Sequence, residues 1–241
     1  VHLRHPDVHA AQGLASAQPL NLKLTLFDLD HTLLDGDSDQ LWCEFLIDRG
    51  VLPREPFEAL NRDMARDYAA GHVSAQTFCD FYIGTLAGRS ADEWQALRRG
   101  YIDGRVVPRI TDAAMELVAR HRDAGDLVLL TTATCRFLSE LTAVHLGIAQ
   151  LIATECETGP DGRFTGRSLG VLNMREGKVQ RLHDWLSSQQ LELTEVESTL
   201  YSDSINDLPL LGAVRHAVVV DPDVHLAAEA AARGWPVISL R

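Results

Sequence analysis

From Leu22 the chain runs Leu-Lys-Leu-Thr-Leu-Phe, first alternating and then wholly apolar, and stops at the acidic residues Asp28 and Asp30. Such a run predicts a buried strand whose C-terminal end carries the two carboxylates. Short apolar runs recur at Leu127 to Thr131, Thr199 to Ser202, Ala217 to Val220 and Pro236 to Leu240, separated by helical or loop-like stretches. This alternation predicts an α/β fold with a mostly parallel sheet covered by helices.

The chain between the first strand and Leu127 is far longer than the dozen or so residues a crossover requires, so it holds an insertion. Within it Leu41, Trp42, Phe45 and Leu46 recur at helical spacing before Gly50, and Phe57, Leu60, Met64 and Tyr68 before Gly71. These predict two amphipathic helices with glycine stops. Phe78, Phe81 and Tyr82 suggest a third helix, and Ser90 with Glu93 gives the capping-box signature of a fourth. The division expected is a tail over 1–21, a core over 22–34 and 106–241, and an all-helical cap over 35–105. A further helix is expected from about Pro108 to His121, and a hairpin or extended loop between Ala153 and Leu172, where Gly159, Gly162, Gly166 and Gly170 interrupt a polar stretch.

Composition narrows the function classes. A formal net charge of −12 opposes binding to a nucleic-acid backbone, which depends on lysines and arginines displacing counterions. It leaves a small anionic substrate open, because a metal ion and one lysine can reverse the field inside a pocket. No stretch approaches the roughly 20 apolar residues of a membrane-spanning helix. The four cysteines lack C-x-x-C spacing and read as reduced residues of a cytoplasmic protein. The first twenty or so residues, with His2, His5 and His9, have no signal-peptide pattern and read as a tail.

Four separated segments carry candidate chemistry. In Phe27-Asp28-Leu29-Asp30-His31-Thr32 the two carboxylates leave the same side of a strand end, and their repulsion calls for a cation such as Mg2+, which prefers oxygen ligands. A surface turn with two solvated aspartates is the bland alternative. In Leu129-Leu130-Thr131-Thr132-Ala133-Thr134 the Thr132 hydroxyl and the Ala133 N–H could hold a phosphoryl oxygen, although threonine also serves packing in strands. Lys178, in Glu176-Gly177-Lys178-Val179, could be a surface charge. In Tyr201-Ser202-Asp203-Ser204-Ile205-Asn206-Asp207, Asp203 could complete a metal site with Asp28 and Asp30, supported by Asp207. Asn206 could touch substrate, or Asn206 and Asp207 could simply cap the next helix.

In this order the four segments resemble the haloacid dehalogenase-like hydrolase superfamily, from Leu22 to Arg241. The resemblance implies a Rossmann-like core, Asp28 as the residue that becomes phosphorylated, Thr132 and Lys178 holding the phosphate, and Asp203 binding Mg2+. It also implies that Asp30, present here as in the phosphatases of the superfamily, protonates the leaving alcohol and then activates water. His31 stands where such families often have glycine.

The cap position and the string Asp35-Gly36-Asp37-Ser38 resemble the phosphoserine-phosphatase-like branch, in which an acidic residue at the position of Asp37 faces the substrate amine. Asp37 or Ser38 could equally N-cap the first cap helix. The cap arginine that pairs with a serine carboxylate in that branch aligns with Asp80, which favours a phosphorylated amino alcohol such as histidinol phosphate over phosphoserine. Arg62 and Arg66 lie near enough in sequence to supply the missing cation. A phosphotransferase or mutase, and a non-catalytic binding protein, are the readings from other classes.

Overall fold

The computed structural model describes residues 22–241, so the tail expected over 1–21 lies outside the described residues. In chain order the strands are β1 (Lys23–Phe27), β2 (Leu127–Cys135), β3 (Gln150–Thr158), β4 (Phe164–Leu169), β5 (Glu197–Ser202), β6 (His216–Val220) and β7 (Val237–Ile238). They form one sheet in the order β4-β3-β2-β1-β5-β6-β7. All neighbours are parallel except β3 and β4, which make the expected hairpin. β3 begins three residues before that expectation and pairs with β2 from Gln150, so its first arm belongs to the main sheet.

β1 is the centre of the sheet and its switch point, because the chain leaves it to build β2 on one side and β5 on the other. In open α/β sheets the crevice beyond the carboxyl ends of strands at such a point is where ligands bind. Leu24 and Leu26 of β1 face a core layer shared with α7 (Glu176–Ser188), α8 (Leu208–Ala213) and α9 (Val224–Arg233). Phe27 faces the opposite layer, with α5 (Asp112–Asp123) and α6 (Arg136–His145). Burial on both faces is why these strands read as apolar runs.

Four α-helices lie between β1 and α5: α1 (Ser38–Asp48), α2 (Arg54–Ala69), α3 (Ala75–Gly84) and α4 (Ala91–Tyr101). Asp37, Ser74 and Ser90 cap the first, third and fourth through side-chain oxygens, and Ser90 and Glu93 form the full capping box. Gly50 and Gly71, with φ of +67° and +73°, end α1 and α2 in the left-handed conformation that glycine adopts without strain. Trp42, at the middle of α1, meets Trp94 and Tyr101 edge to face, with ring centroids 5.5 and 5.1 Å apart. These rings share one continuous apolar cluster with Phe27 and Leu130, so the helical insertion is packed onto the sheet and α1 is held over the end of β1.

The helix expected from Pro108 starts at Asp112 instead. Pro108 lies in a 3-10 turn, and Ile110 stays extended because it bridges Leu34. Thr111 then caps α5 by accepting from Ala114 N at 3.1 Å. Among the described residues no helix is long and apolar enough to cross a membrane.

Candidate active site

Asp28 follows the last residue of β1, and its N–H donates to Tyr201 O of β5, which fixes its backbone at the sheet's carboxyl edge. The chain then turns sharply, with Leu29 O accepting from the N–H groups of Thr32, Leu33 and Leu34. His31 takes φ +56° in this turn, the conformation that makes glycine common at such a position.

Lys178, at the start of α7, is 3% exposed, and its Nζ donates to Asp28 Oδ1 at 2.8 Å and to Asp207 Oδ2 at 2.7 Å. Burial alone would lower this ammonium's pKa, but Asp207 and Asp28 beside it raise it, so Lys178 is a fixed positive charge. Ser202 Oγ also donates to Asp207 Oδ2, at 2.8 Å. Thr32 Oγ1 donates to Asp203 Oδ1 at 2.9 Å and accepts from Asp203 N at 3.1 Å, joining the ends of β1 and β5. Asp28, Asp203 and Asp207 are all buried. Burial pushes the Asp28 carboxyl well above its usual range, with Asp207 and Asp203 adding to the rise and Lys178 opposing it. Burial likewise raises Asp203 to about 6.

Asp28, Lys178, Asp203 and Asp207 line a cavity of about 570 Å³ between the sheet edge and the helical insertion, with Asp30, Asp37, Ala133, Arg175 and Asn206 also on its walls. A family profile for haloacid dehalogenase-like hydrolases matches residues 25–212, which covers all four motif segments. The chain belongs to the haloacid dehalogenase-like hydrolases.

The HAD-like chain is 38% identical over 219 residues to a histidinol-phosphatase of Neisseria meningitidis, covering 90% of this chain and 99% of that one. It is 33% identical over 247 aligned positions to the phosphoserine phosphatase SerB1 of Mycobacterium tuberculosis, covering 98% of this chain and 77% of that one. A crystal structure of a protein of unknown function from Bordetella pertussis is 41% identical, with a TM-score of 0.87 over 91% of this chain and 99% of that one. A phosphoserine phosphatase with a phospho-aspartyl intermediate analogue shares the fold, with a TM-score of 0.66 at 14% identity over 91% of this chain and 94% of that one. By family and relatives the chain is a phosphatase.

The donors of this HAD-like site fit a hard divalent cation. Two buried carboxylates, Asp28 and Asp207, share one buried ammonium, buried Asp203 lies near Asp28, and Asp28 Oδ2 and Asp203 Oδ2 accept no hydrogen bond from the described residues. Asp30 departs from its expected part in the metal set. Its Oδ1 accepts from Ser38 N at 2.8 Å and Ser38 Oγ at 2.5 Å, and its Oδ2 accepts from Thr134 Oγ1 at 2.8 Å. Those donors turn the Asp30 side chain toward α1 and β2, and among the described residues no three His, Cys, Asp or Glu side chains gather as a metal-holding group. Mg2+ commonly rests on only one or two carboxylates, with phosphate and water completing the octahedron, which suits Asp28 and Asp203.

Thr132 is fully buried and absent from the cavity wall; its Oγ1 accepts from Thr134 N at 3.2 Å, which leaves its own proton to donate. Asn206 lies on the wall, where its Oδ1 accepts from Arg175 Nε at 3.1 Å. Arg62 and Arg66 do not reach this cavity: both pair with Asp63 on the outside of α2, and Arg66 also with Asp67. Asp80 also lies away from it, accepting from Ser168 and Gln76. The arginine on the wall is Arg175, which precedes α7 and which no sequence pattern marked. Ser38 and Thr134 stood in the motif strings without the role of holding Asp30, and Asn173 was not marked at all. Asn173 is fully buried, and the two hydrogens of its Nδ2 are shared among Thr131 Oγ1, Thr132 O and Ile152 O, which ties the ends of β2 and β3 to the segment leading to Lys178.

Gly177 sets the approach of that segment. A Cβ there would lie 2.1 Å from Leu172 O, and a backbone carbonyl cannot swing aside. Gly177→Ala is expected to cost about 1–3 kcal/mol of stability and, by shifting Lys178, to lower turnover about 100-fold. Thermal melts and steady-state kinetics check both; wild-type values would mean the loop yields freely.

Proposed function

We propose that this HAD-like phosphatase uses Mg2+ and an aspartyl-phosphate on Asp28 to hydrolyse a small phosphate monoester, namely a phosphorylated amino alcohol such as histidinol phosphate. The observation that carries the reading is the meeting of Asp28, Lys178 and Asp203 at the carboxyl ends of β1 and β5. Bound at Asp28 and Asp203, with Asp207 in support, Mg2+ would neutralise phosphoryl oxygen charge so that an anionic nucleophile can approach.

The chain's own residues do the rest. Lys178 supplies a fixed positive charge beside Asp28, and the Ala133 N–H on the cavity wall holds a phosphoryl oxygen so that attack is in line, while buried Thr132, accepting from Thr134 N, supports that turn from behind instead of touching the substrate as expected. Asp28 forms the new P–O bond as the ester P–O bond breaks, and protonated Asp30 gives its proton to the departing alkoxide. Asp30, now a carboxylate, takes a proton from the water that attacks the aspartyl-phosphate, which frees phosphate and restores Asp28. Ser38 and Thr134, by fixing both Asp30 oxygens, hold it in place for both transfers.

The substrate follows from charge. Asp37 lies on the wall, raised to about 6 by burial and by Asp30, although its Oδ1 also caps α1 by accepting from Gln40 N at 2.8 Å. An acidic cap wall without a cap arginine suits a cationic substrate group. The histidinol-phosphatase relative supports the same choice, whereas Arg175 is the observation that favours phosphoserine, since a guanidinium can hold a carboxylate. A cytoplasmic setting belongs to this proposal, supported by four free cysteines.

The test is release of inorganic phosphate from L-histidinol phosphate and O-phospho-L-serine, with Mg2+ and with excess EDTA. Turnover of histidinol phosphate is expected to exceed that of phosphoserine, and EDTA to lower it at least ~100-fold until Mg2+ is returned. Metal-independent hydrolysis refutes the cofactor. A new phosphorylated acceptor with little free phosphate refutes hydrolysis in favour of transfer.

A further inference from the structure

Beside Asp37 the cap carries a second carboxylate, Asp39, in the first turn of α1. It is 7% exposed and reaches the cavity wall. Its one hydrogen bond among the described residues is a long one, from Thr134 Oγ1 to Oδ2 at 3.4 Å. That hydroxyl has a single proton, and Asp30 Oδ2 lies nearer, at 2.8 Å. Once Thr134 donates to Asp30, Asp39 is left without a donor.

Among the described residues no cation is hydrogen-bonded to it. Of the two long cations on the wall, Lys178 is held by Asp28 and Asp207 and Arg175 gives its Nε to Asn206, and neither donates to Asp39. The groups around Asp39 are Asp37, Asp30 and the Cys135 thiol, and burial with these neighbours drives its carboxyl well above the ordinary range. Asp37 differs, because the N–H of Gln40 already satisfies one of its oxygens. A buried carboxylate without a partner is costly to maintain, and a cation arriving from the cavity removes that cost.

We infer that Asp39, more than Asp37, receives the cationic nitrogen of the substrate and so selects esters that carry an amine beside the phosphate. This rests on the phosphorylated-amino-alcohol reading above. The placement follows from Thr134, whose hydroxyl lies between Asp30 and Asp39. Asp30 serves the ester oxygen, so a nitrogen held by Asp39 lies only a short reach from that oxygen. A vicinal amino group, one carbon removed from the phosphorylated carbon, meets this requirement.

The test compares kcat/KM for L-histidinol phosphate with that for its desamino counterpart, 3-(imidazol-4-yl)propyl phosphate, in wild type, Asp39→Asn and Asp39→Glu at saturating Mg2+. Asp39→Asn keeps the side-chain volume and removes the charge. It is expected to lower the ratio of the two kcat/KM values about 10- to 100-fold, mainly through KM for the amine, and Asp39→Glu to restore part of it. A wild-type preference for the amine that survives unchanged in Asp39→Asn overturns the assignment to Asp39 and leaves the amino-alcohol reading intact. A wild-type enzyme that hydrolyses both esters equally, or neither, overturns that reading and this inference with it.

Discussion

Asp28→Asn is expected to abolish phosphate release, lowering kcat by about 10⁴-fold or more, because the amide cannot form the acyl phosphate through which turnover is proposed to pass. The fold should survive. Asparagine matches the volume, and its Oδ1 can still accept from Lys178, which the wild-type carboxylate accepts from at 2.8 Å. Asp28 is also a costly group to bury, since burial and the neighbouring Asp207 and Asp203 hold its carboxyl above the usual range. Replacing that charge by a neutral amide therefore relieves repulsion, and the melting temperature should stay level or rise slightly. Phosphate release with saturating Mg2+ and a thermal melt on the same sample give both quantities. A rate near that of wild type would exclude Asp28 as nucleophile.

Lys178→Met is expected to damage both stability and activity. The ammonium lies between Asp28 and Asp207, and its removal leaves two buried carboxylates facing each other with no cation. Breaking a buried ion pair on one side costs about 3–5 kcal/mol, because the remaining charge is stranded in a poor solvent. For a chain of this size that corresponds to a fall of roughly 10 °C in melting temperature. Adding Asp207→Asn should return part of the stability, since Ser202 can still donate to the amide oxygen and one stranded charge is gone. It should not return turnover, because the charge that Lys178 is proposed to offer the phosphoryl group is still absent. Unchanged melting in Lys178→Met, or full stability without the second substitution, would show that the cluster is solvated and not a buried triad.

The motif segments were readable because each is a local statement: an apolar run ending in Asp28, in Thr132 or in Asp203 places polar groups at a strand's end whatever the rest of the chain does. The capping box at Ser90 and the glycine stops at Gly50 and Gly71 were readable for the same reason, and the structure has them where the pattern put them. The start of α5 was not, since Pro108 suits a helix start but the bridge between Ile110 and Leu34 holds the chain extended for two more residues. A contact between residues so far apart in sequence leaves no mark in periodicity.

The sequence by itself determined the strands, the helical insertion and the carboxylates and lysine available for chemistry, because alternation, caps and turn residues act over a few positions. Tertiary structure alone decided how the carboxylates are held, turning Asp30 to Ser38 and Thr134 while Asp28 Oδ2 and Asp203 Oδ2 accept no hydrogen bond from the described residues. It also decided that Arg175, and not Arg62 or Arg66, reaches the cavity, and that Asp39 has only one long hydrogen bond, from Thr134, among the described residues. The reason is that hydrogen-bond partners and burial are set by distances across the sheet and cap, which depend on packing between segments and not on the order of residues within one.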